Sequence, residues 1–282
     1  MLSSVSPSMY ALNPHSRSTS TDRTAGSKMF IFKIFGLILA ALRLIIVIIL
    51  VAIHGIAVAL VPENSHPLRA KCIQSFGKTL TWTLGVKLKV SGTPPERRAV
   101  IISNHRSYAD IPILASLVPV VFLAKAEVAQ WPVIGFAARK ARTVFVDRHD
   151  PESRERSRLT LRERLKEGFS VLVFSEGTTS ARGTLDPLKP GMFHEAAAAQ
   201  LPLQLIYIEF SEDEDSWVGE ASVGAHFFAR FSRWRTEVKV VFREQLLHAD
   251  LEEESPGHQL CEFTKRWLHE RIIEEIGELR ES

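Results

Sequence analysis

Ala99-Val100-Ile101-Ile102-Ser103-Asn104-His105-Arg106-Ser107-Tyr108-Ala109-Asp110 is the stretch on which the reading of this chain turns. Its first four residues form an uninterrupted apolar run, the pattern of a strand covered on both faces. Ala109 to Leu117 reads as a helix, which leaves Asn104 to Tyr108 as the connection. His105 then stands at a strand end and Asp110 in the first helical turn, where a carboxylate suits the positive end of the helix dipole. A neutral histidine serves as a base when one ring nitrogen donates to a carboxylate and the other presents its lone pair. His105 and Asp110 can form such a pair. The residues alone leave a second reading open, in which Asp110 is a helix cap and His105 a loop residue.

On either side of this stretch, apolar runs alternate with amphipathic helices, which predicts an α/β fold, a mixed sheet flanked by helices, with an N-terminal helical membrane anchor. Strands are expected at Val86 to Val90, Val120 to Ala124, Thr143 to Val146, Val171 to Phe174, Leu203 to Ile208 and Val238 to Phe242, besides Ala99 to Ser103. Helices are expected from Ala70 to Gly85, from Pro151 to Lys166 behind the acidic Asp150 and Glu152, and from about Gly257 to Leu279.

The chain divides by composition. Residues 1–27 are rich in Ser and Thr and lack apolar periodicity, so a disordered tail is expected. Residues 28–62 form a hydrophobic anchor, in which Met29 to Val61 is interrupted only by Lys33, Arg43 and His54. Leu44 to Val61 is about long enough to cross the hydrocarbon layer. An arginine at mid-bilayer costs roughly 2.5 to 3.5 kcal/mol, so a hairpin of two helices with Arg43 near a surface is expected. Basic residues flank both ends, so the positive-inside rule fixes no orientation. The apolar stretch is too long and too deep in the chain for a cleaved signal peptide. Residues 63–282 are left for the catalytic domain.

Composition narrows the function. The 282 residues carry a net charge of +3, too little to indicate nucleic acid, and no nucleic-acid-binding motif accompanies it. Cys72 and Cys261 form no CxxC or Cys/His cluster, so neither a disulfide framework nor a zinc site is expected, and a reducing, cytosol-facing domain is the simplest reading. No G-x-S-x-G elbow is present, which disfavours a serine hydrolase.

The block from Asn104 to Asp110 resembles the NHxxxxD motif of the glycerolipid acyltransferases that convert 1-acylglycerol 3-phosphate to phosphatidic acid. Three more blocks resemble that family in order. Phe145-Val146-Asp147-Arg148, preceded by Lys125 and by Trp131-Pro132-Val133-Ile134-Gly135, is similar to the second. Phe174-Ser175-Glu176-Gly177-Thr178-Thr179-Ser180 is similar to the third, FPEGTRS, and Leu201 to Ile208 to the fourth. The resemblance spans about residues 78 to 245.

What the resemblance implies is an O-acyltransferase without metal or cofactor, with acyl-CoA or acyl carrier protein as donor, a lysophospholipid as acceptor and the bilayer as partner. It implies a cell-membrane or inner-membrane location with a cytoplasmic catalytic domain on a two-helix anchor. His105 and Asp110 are the expected catalytic pair. Asn104, Arg148, Glu176, Gly177 and Thr178 are the expected substrate-binding residues, with Arg148 on the acceptor phosphate and amides near Gly177 as oxyanion donors. Two positions depart from the pattern: Ser175 replaces the third block's proline and Thr179 its arginine. One expected phosphate ligand is therefore missing, with Arg182 or Lys189 as its candidate replacements. The first expectation for the acceptor is 1-acylglycerol 3-phosphate. The alternatives are lyso-ornithine lipid or lysophosphatidylcholine, and less favoured are a thioesterase or a non-catalytic membrane protein.

Overall fold

The computed structural model describes residues 20–62, 65–131, 134–219 and 222–281. A seven-stranded sheet lies at its centre, with β1 (Val86–Ser91), β2 (Val100–Ser103), β3 (Val120–Lys125), β4 (Val144–Val146), β5 (Ser170–Phe174), β6 (Leu203–Phe210) and β7 (Thr236–Phe242). The strands lie in the order β1-β7-β6-β2-β5-β3-β4. β2 runs parallel to β5 and β6, and β3 parallel to β5 and β4, while β7 is antiparallel to β6. The sheet is mixed, and each expected strand is present. The five mutually parallel strands end on one edge, and the loops leaving that edge carry the motif residues.

Helices cover both faces: α1 (Ser20–Leu60), α2 (His66–Thr83), α3 (Asp110–Leu117), α4 (Ile134–Lys140), α5 (Pro151–Lys166), α6 (Gly191–Ala198), α7 (Val223–Phe231) and α8 (Pro256–Glu281). Alternation along the strands supplies two cores. Ile101, Leu172 and Ile206 meet Ile73 of α2, Ile113 of α3 and Phe231 of α7 on one face. Val100, Val171 and Leu205 meet Leu161 of α5, Phe193 of α6 and Leu260 of α8 on the other. Asp150 caps α5 by accepting from the amides of Glu152 and Ser153, as its sequence predicts.

The N-terminal region corrects two expectations. Helix α1 begins at Ser20 and so takes in residues 20–27 of the expected tail, while 1–19 lie outside the described residues. It also runs unbroken through Arg43, where a hairpin break is expected. The physical reason is that Arg43 never faces lipid. It is buried, and its guanidinium donates to the carbonyls of Phe231 (2.8 Å), Arg233 (2.6 Å) and Trp234 (2.9 Å) at the C-terminal end of α7. Those orphan carbonyls gain a cation, and the arginine gains acceptors that no hydrocarbon offers. The chain instead turns after Val61, and α2 returns beside α1, with the Arg69 guanidinium donating to Val61 O at 2.8 Å.

Helix α1 rests on the domain over much of its length. A Cβ on Gly36 would meet Ser232, and one on Gly55 would meet Phe136 and Ala137 of α4, two points about 28 Å apart along the helix. Its opposite side, including Phe32, Ile38, Ile45, Ile49, Ile53 and Leu60, is exposed. Phe30–Leu60 is long and apolar enough, by length and composition, to cross a membrane.

Gly85, at φ +72°, makes room for Arg43, since a Cβ there would stand 2.2 Å from the guanidinium Nη2 and 2.6 Å from Trp234 O. Arg43→Ala is therefore expected to lower stability by about 2–4 kcal/mol, read by thermal unfolding in detergent. Gly85→Ala should destabilise too, and should cost less when Arg43 is already alanine. Additive effects would show that the two residues do not share this contact.

Candidate functional site

The end of β2 and the start of α3 place His105 against Asp110. The distance from His105 Nδ1 to Asp110 Oδ2 is 2.8 Å. An ionised carboxylate has no proton to give, so Nδ1 is the donor and Nε2 carries the lone pair. The same Oδ2 accepts from the amides of Arg106 (2.7 Å) and Ser107 (3.0 Å). Asp110 is fully buried, whereas the His105 side chain keeps 16% exposure. The imidazole lies flat on the Phe174 ring, with centroids 3.8 Å apart and planes 12° from parallel. One carboxylate and one aromatic face thus fix the ring's direction and tilt.

Glu176 joins two loops of the site. It is buried, with Oε1 accepting from the amide of His105 and Oε2 from that of Asp186, both at 2.8 Å. Burial pushes its carboxyl above the ordinary range, and these amides together with the Ser180 hydroxyl pull it back. The side chain is a strut between the β2 and β5 loops. Asn104 is fully buried and pairs with the backbone of Ile208 through both amide atoms, at 2.8 Å each. Asn104 pins the β2 loop to β6. The amide of Gly177 donates to Phe174 O at 3.0 Å. The neighbouring Thr178 is exposed.

Arg148 follows β4 at the same edge and is solvent-accessible. Its Nη1 lies 4.0 Å from where a Cβ on Gly177 would stand, and Lys189 Cε lies 3.9 Å from that same point. Gly177 therefore leaves open the space between two cations. Arg182, the other candidate replacement for the missing arginine, faces Asp213 at 3.2 Å and Glu275 at 3.8 Å, so its charge is committed elsewhere. Thr179, which stands in the arginine's place, donates its hydroxyl to Trp217 O. That bond holds the loop after β6 against the third block, and Trp217 in turn donates its amide to Arg106 O at 2.8 Å. Pro132 and Val133 of the second block lie outside the described residues.

Two site-building residues escape the motif reading. Arg106, fully buried, donates from Nε to Glu209 Oε1 at 2.9 Å and from Nη1 to the Ser180 hydroxyl. Burial works most strongly against its charge, and Glu209, together with Glu176 and Tyr207, holds the guanidinium above its ordinary value. Glu209 also accepts from the Tyr207 hydroxyl at 3.1 Å and from the amide of Gly183 at 3.3 Å. The available signal was the single acid near the end of the apolar run Leu203-Gln204-Leu205-Ile206-Tyr207-Ile208-Glu209-Phe210, because a carboxylate buried in a strand requires a partner.

A base oriented by a buried acid, beside two cations at the carboxyl ends of parallel strands, is where an α/β sheet binds ligands. Residues 87–209 match the family model described as Acyltransferase. Over that segment, which is less than half of its length, the chain resembles acyltransferases. It is 35% identical over 147 residues to a lyso-ornithine lipid O-acyltransferase of Pseudomonas aeruginosa, a match covering 52% of this chain and 57% of that one. It is 34% identical over 131 residues to a 1-acyl-sn-glycerol-3-phosphate acyltransferase of Cocos nucifera, covering 45% and 42%. The chain thus spans about half the length of these relatives. Its fold is that of the 1-acyl-sn-glycerophosphate acyltransferase PlsC of Thermotoga maritima, with TM-score 0.65 and 23% identity over 86% of this chain and 97% of that one.

The strut role of Glu176 is open to test. Glu176→Gln cannot accept from both backbone amides through its NH2 end, and should lower stability by about 1–3 kcal/mol. It should reduce turnover with little change in acceptor KM. A large rise in acceptor KM with intact stability would place Glu176 among the substrate contacts.

Proposed function

We propose that this protein transfers a fatty acyl group from a thioester donor to the free hydroxyl of a lysolipid at a membrane surface. The observation that carries the reading is the 2.8 Å bond from His105 Nδ1 to Asp110, which aims Nε2 as a base from a ring clamped against Phe174. Nε2 removes the hydroxyl proton as the oxygen attacks the thioester carbonyl, and Asp110 stabilises the imidazolium that forms. Collapse of the tetrahedral adduct expels the thiolate, which regains the proton from His105. No acyl-enzyme is required. We assign the oxyanion to the exposed Thr178, beside the Gly177 amide that donates to Phe174 O. The donor is acyl-CoA or acyl carrier protein, and the catalytic domain faces the cytosol.

Arg148 and Lys189 supply the positive charge for the acceptor headgroup. A guanidinium can bind two oxygens of a phosphate or a carboxylate at once. For 1-acylglycerol 3-phosphate, giving phosphatidic acid, the support is this cation pair. For lyso-ornithine lipid, whose headgroup carries a carboxylate monoanion and an ammonium, the support is Thr179: the arginine is replaced and its place is used to hold Trp217 O. We favour the less anionic acceptor for that reason.

His105→Ala should lower turnover about 10² to 10⁴-fold while the protein stays folded, and unchanged turnover would remove the base from the scheme. Arg148→Ala should raise acceptor KM more than it lowers kcat. With labelled acyl-CoA and a panel of lysophosphatidate, lysophosphatidylcholine and lyso-ornithine lipid, diacyl product should form fastest from lyso-ornithine lipid. Thr179→Arg should shift preference toward lysophosphatidate by about ten-fold or more, the scale of one added charged hydrogen bond. Free fatty acid as the sole product would make the protein a thioesterase instead.

A further inference from the structure

We propose a second anion site, separate from the acyl-transfer site, that takes the phosphate of an anionic phospholipid headgroup at the membrane surface. A pocket of about 240 Å³ lies among the C-terminal ends of α1 and α4 and the start of α2, lined by Ala59, Arg69, Phe136, Arg139, Lys140 and Arg142. Four of these six residues are cations. Arg142 stands before β4 and Arg148 after it, so the full strand, about 10 Å, separates the pocket from the acceptor cations. The two sites lie at opposite edges of the sheet.

The pocket is organised to present positive charge. Arg69 is held in place by donating to Lys140 O and Val61 O at 2.8 Å each. Arg139 donates to Ala129 O, a neutral partner that leaves its charge uncancelled, and Lys140 sits 5.9 Å from the Phe136 ring centroid. Arg142 faces Glu167 at 3.3 Å, but that carboxylate is shared with Arg164 at 2.8 Å. The carbonyls at the end of α4, which would repel an anion, are occupied. Ala138 O accepts from Thr143 N at 3.0 Å and Arg139 O from Arg142 N at 3.1 Å.

The helix dipole alone explains cations in the last turn of α4. It does not explain Arg142. Those two backbone bonds are the Schellman pattern, whose left-handed position is usually glycine, and Arg142 adopts it at φ +65°. A long cationic side chain is kept where glycine would be less strained.

What identifies the occupant as lipid is the pocket's setting. It opens beside Ala59, where the exposed apolar side of α1 (Ile49, Ile53, Ile56, Leu60) ends, and beside the exposed ring of Phe136. An anion meeting cations at the end of an apolar stripe has the geometry of a phospholipid phosphate above its own acyl chains. The site stands whichever lysolipid is the acceptor.

The test uses the full chain, transferred from detergent to phosphatidylcholine vesicles with or without phosphatidylglycerol, with binding read by co-sedimentation at fixed ionic strength. Arg142→Gly removes one charge and relieves the strained backbone. It should reduce the preference for anionic vesicles about five-fold, without loss of thermal stability. Arg139→Gln with Lys140→Gln should reduce it roughly thirty-fold. Lys265→Gln with Arg266→Gln, the same charge change on exposed residues of α8 across the sheet, should leave the preference near wild type. An unchanged preference in the pocket variants, or an equal loss in the α8 variant, would show only net charge at work and overturn the site. Competition by inorganic phosphate beyond that of chloride would mark a free-phosphate site, and a raised acyl-CoA KM for Arg142→Gly in mixed micelles would mark a donor site. Either result overturns the lipid assignment.

Discussion

Burying carboxylates at the reactive edge of the sheet is the constraint from which the rest of this structure follows. Asp110, Glu176 and Glu209 are each 3% exposed or less, and a carboxylate in that position is tolerated when it collects several donors, three of them on Oδ2 in the case of Asp110. The donors come from elsewhere in the chain. Asp110 draws in the His105 ring and the amides of Arg106 and Ser107, Glu176 joins His105 to Asp186, and Glu209 joins Arg106 to Gly183. Three loops that are far apart in sequence become one rigid body. The imidazole is then held by its ring, and its own residue by a backbone amide given to Glu176 and a carbonyl that accepts from Ser180 N at 2.8 Å. That rigidity before substrate arrives is the positioning an acyl transfer depends on.

The same constraint explains which parts of the site were legible in the sequence. His105 and Asp110 could be paired because the strand-to-helix reading fixes their separation, and local pattern controls both elements. Arg148 was legible from its motif and does reach the open edge. Asn104 and Glu176 were recognised as important, and the structure adds the backbone partners that the sequence does not show. A polar residue in a motif looks the same in sequence whether it faces a ligand or a backbone amide, and only the fold shows that Ile208 and Asp186 lie across from them. Arg106 and Glu209 were missed because their pairing joins positions 103 residues apart, beyond any local period.

The sheet was read more fully than the helices. Strands such as Leu203–Phe210 announce themselves by continuous apolar character, whereas α4, α6 and α7 are short and carry too few turns for a 3.6-residue period to stand out. The break expected at Arg43 failed for a related reason. A charge in an apolar helix is costly against lipid, and the sequence does not show that α7 offers it three carbonyls. Tertiary structure removed the conflict without breaking the helix.

For the acyl transfer proposed above, that docking has a mechanical consequence. Arg43 grips the end of α7, and α7 presents Phe231 and His226 to Tyr108 of the first block, with the Tyr108 hydroxyl 3.1 Å from His226 Nδ1. Burial lowers the His226 pKa, so the imidazole is a neutral partner in a largely apolar contact. A continuous chain of packed groups therefore runs from the apolar helix to the residues beside His105. Reactants whose tails remain in a bilayer can reach a fixed base only if the base is held at a fixed height above it. One buried arginine, placed where the sequence alone predicts a break, sets the position of the reactive edge relative to the exposed apolar side of α1.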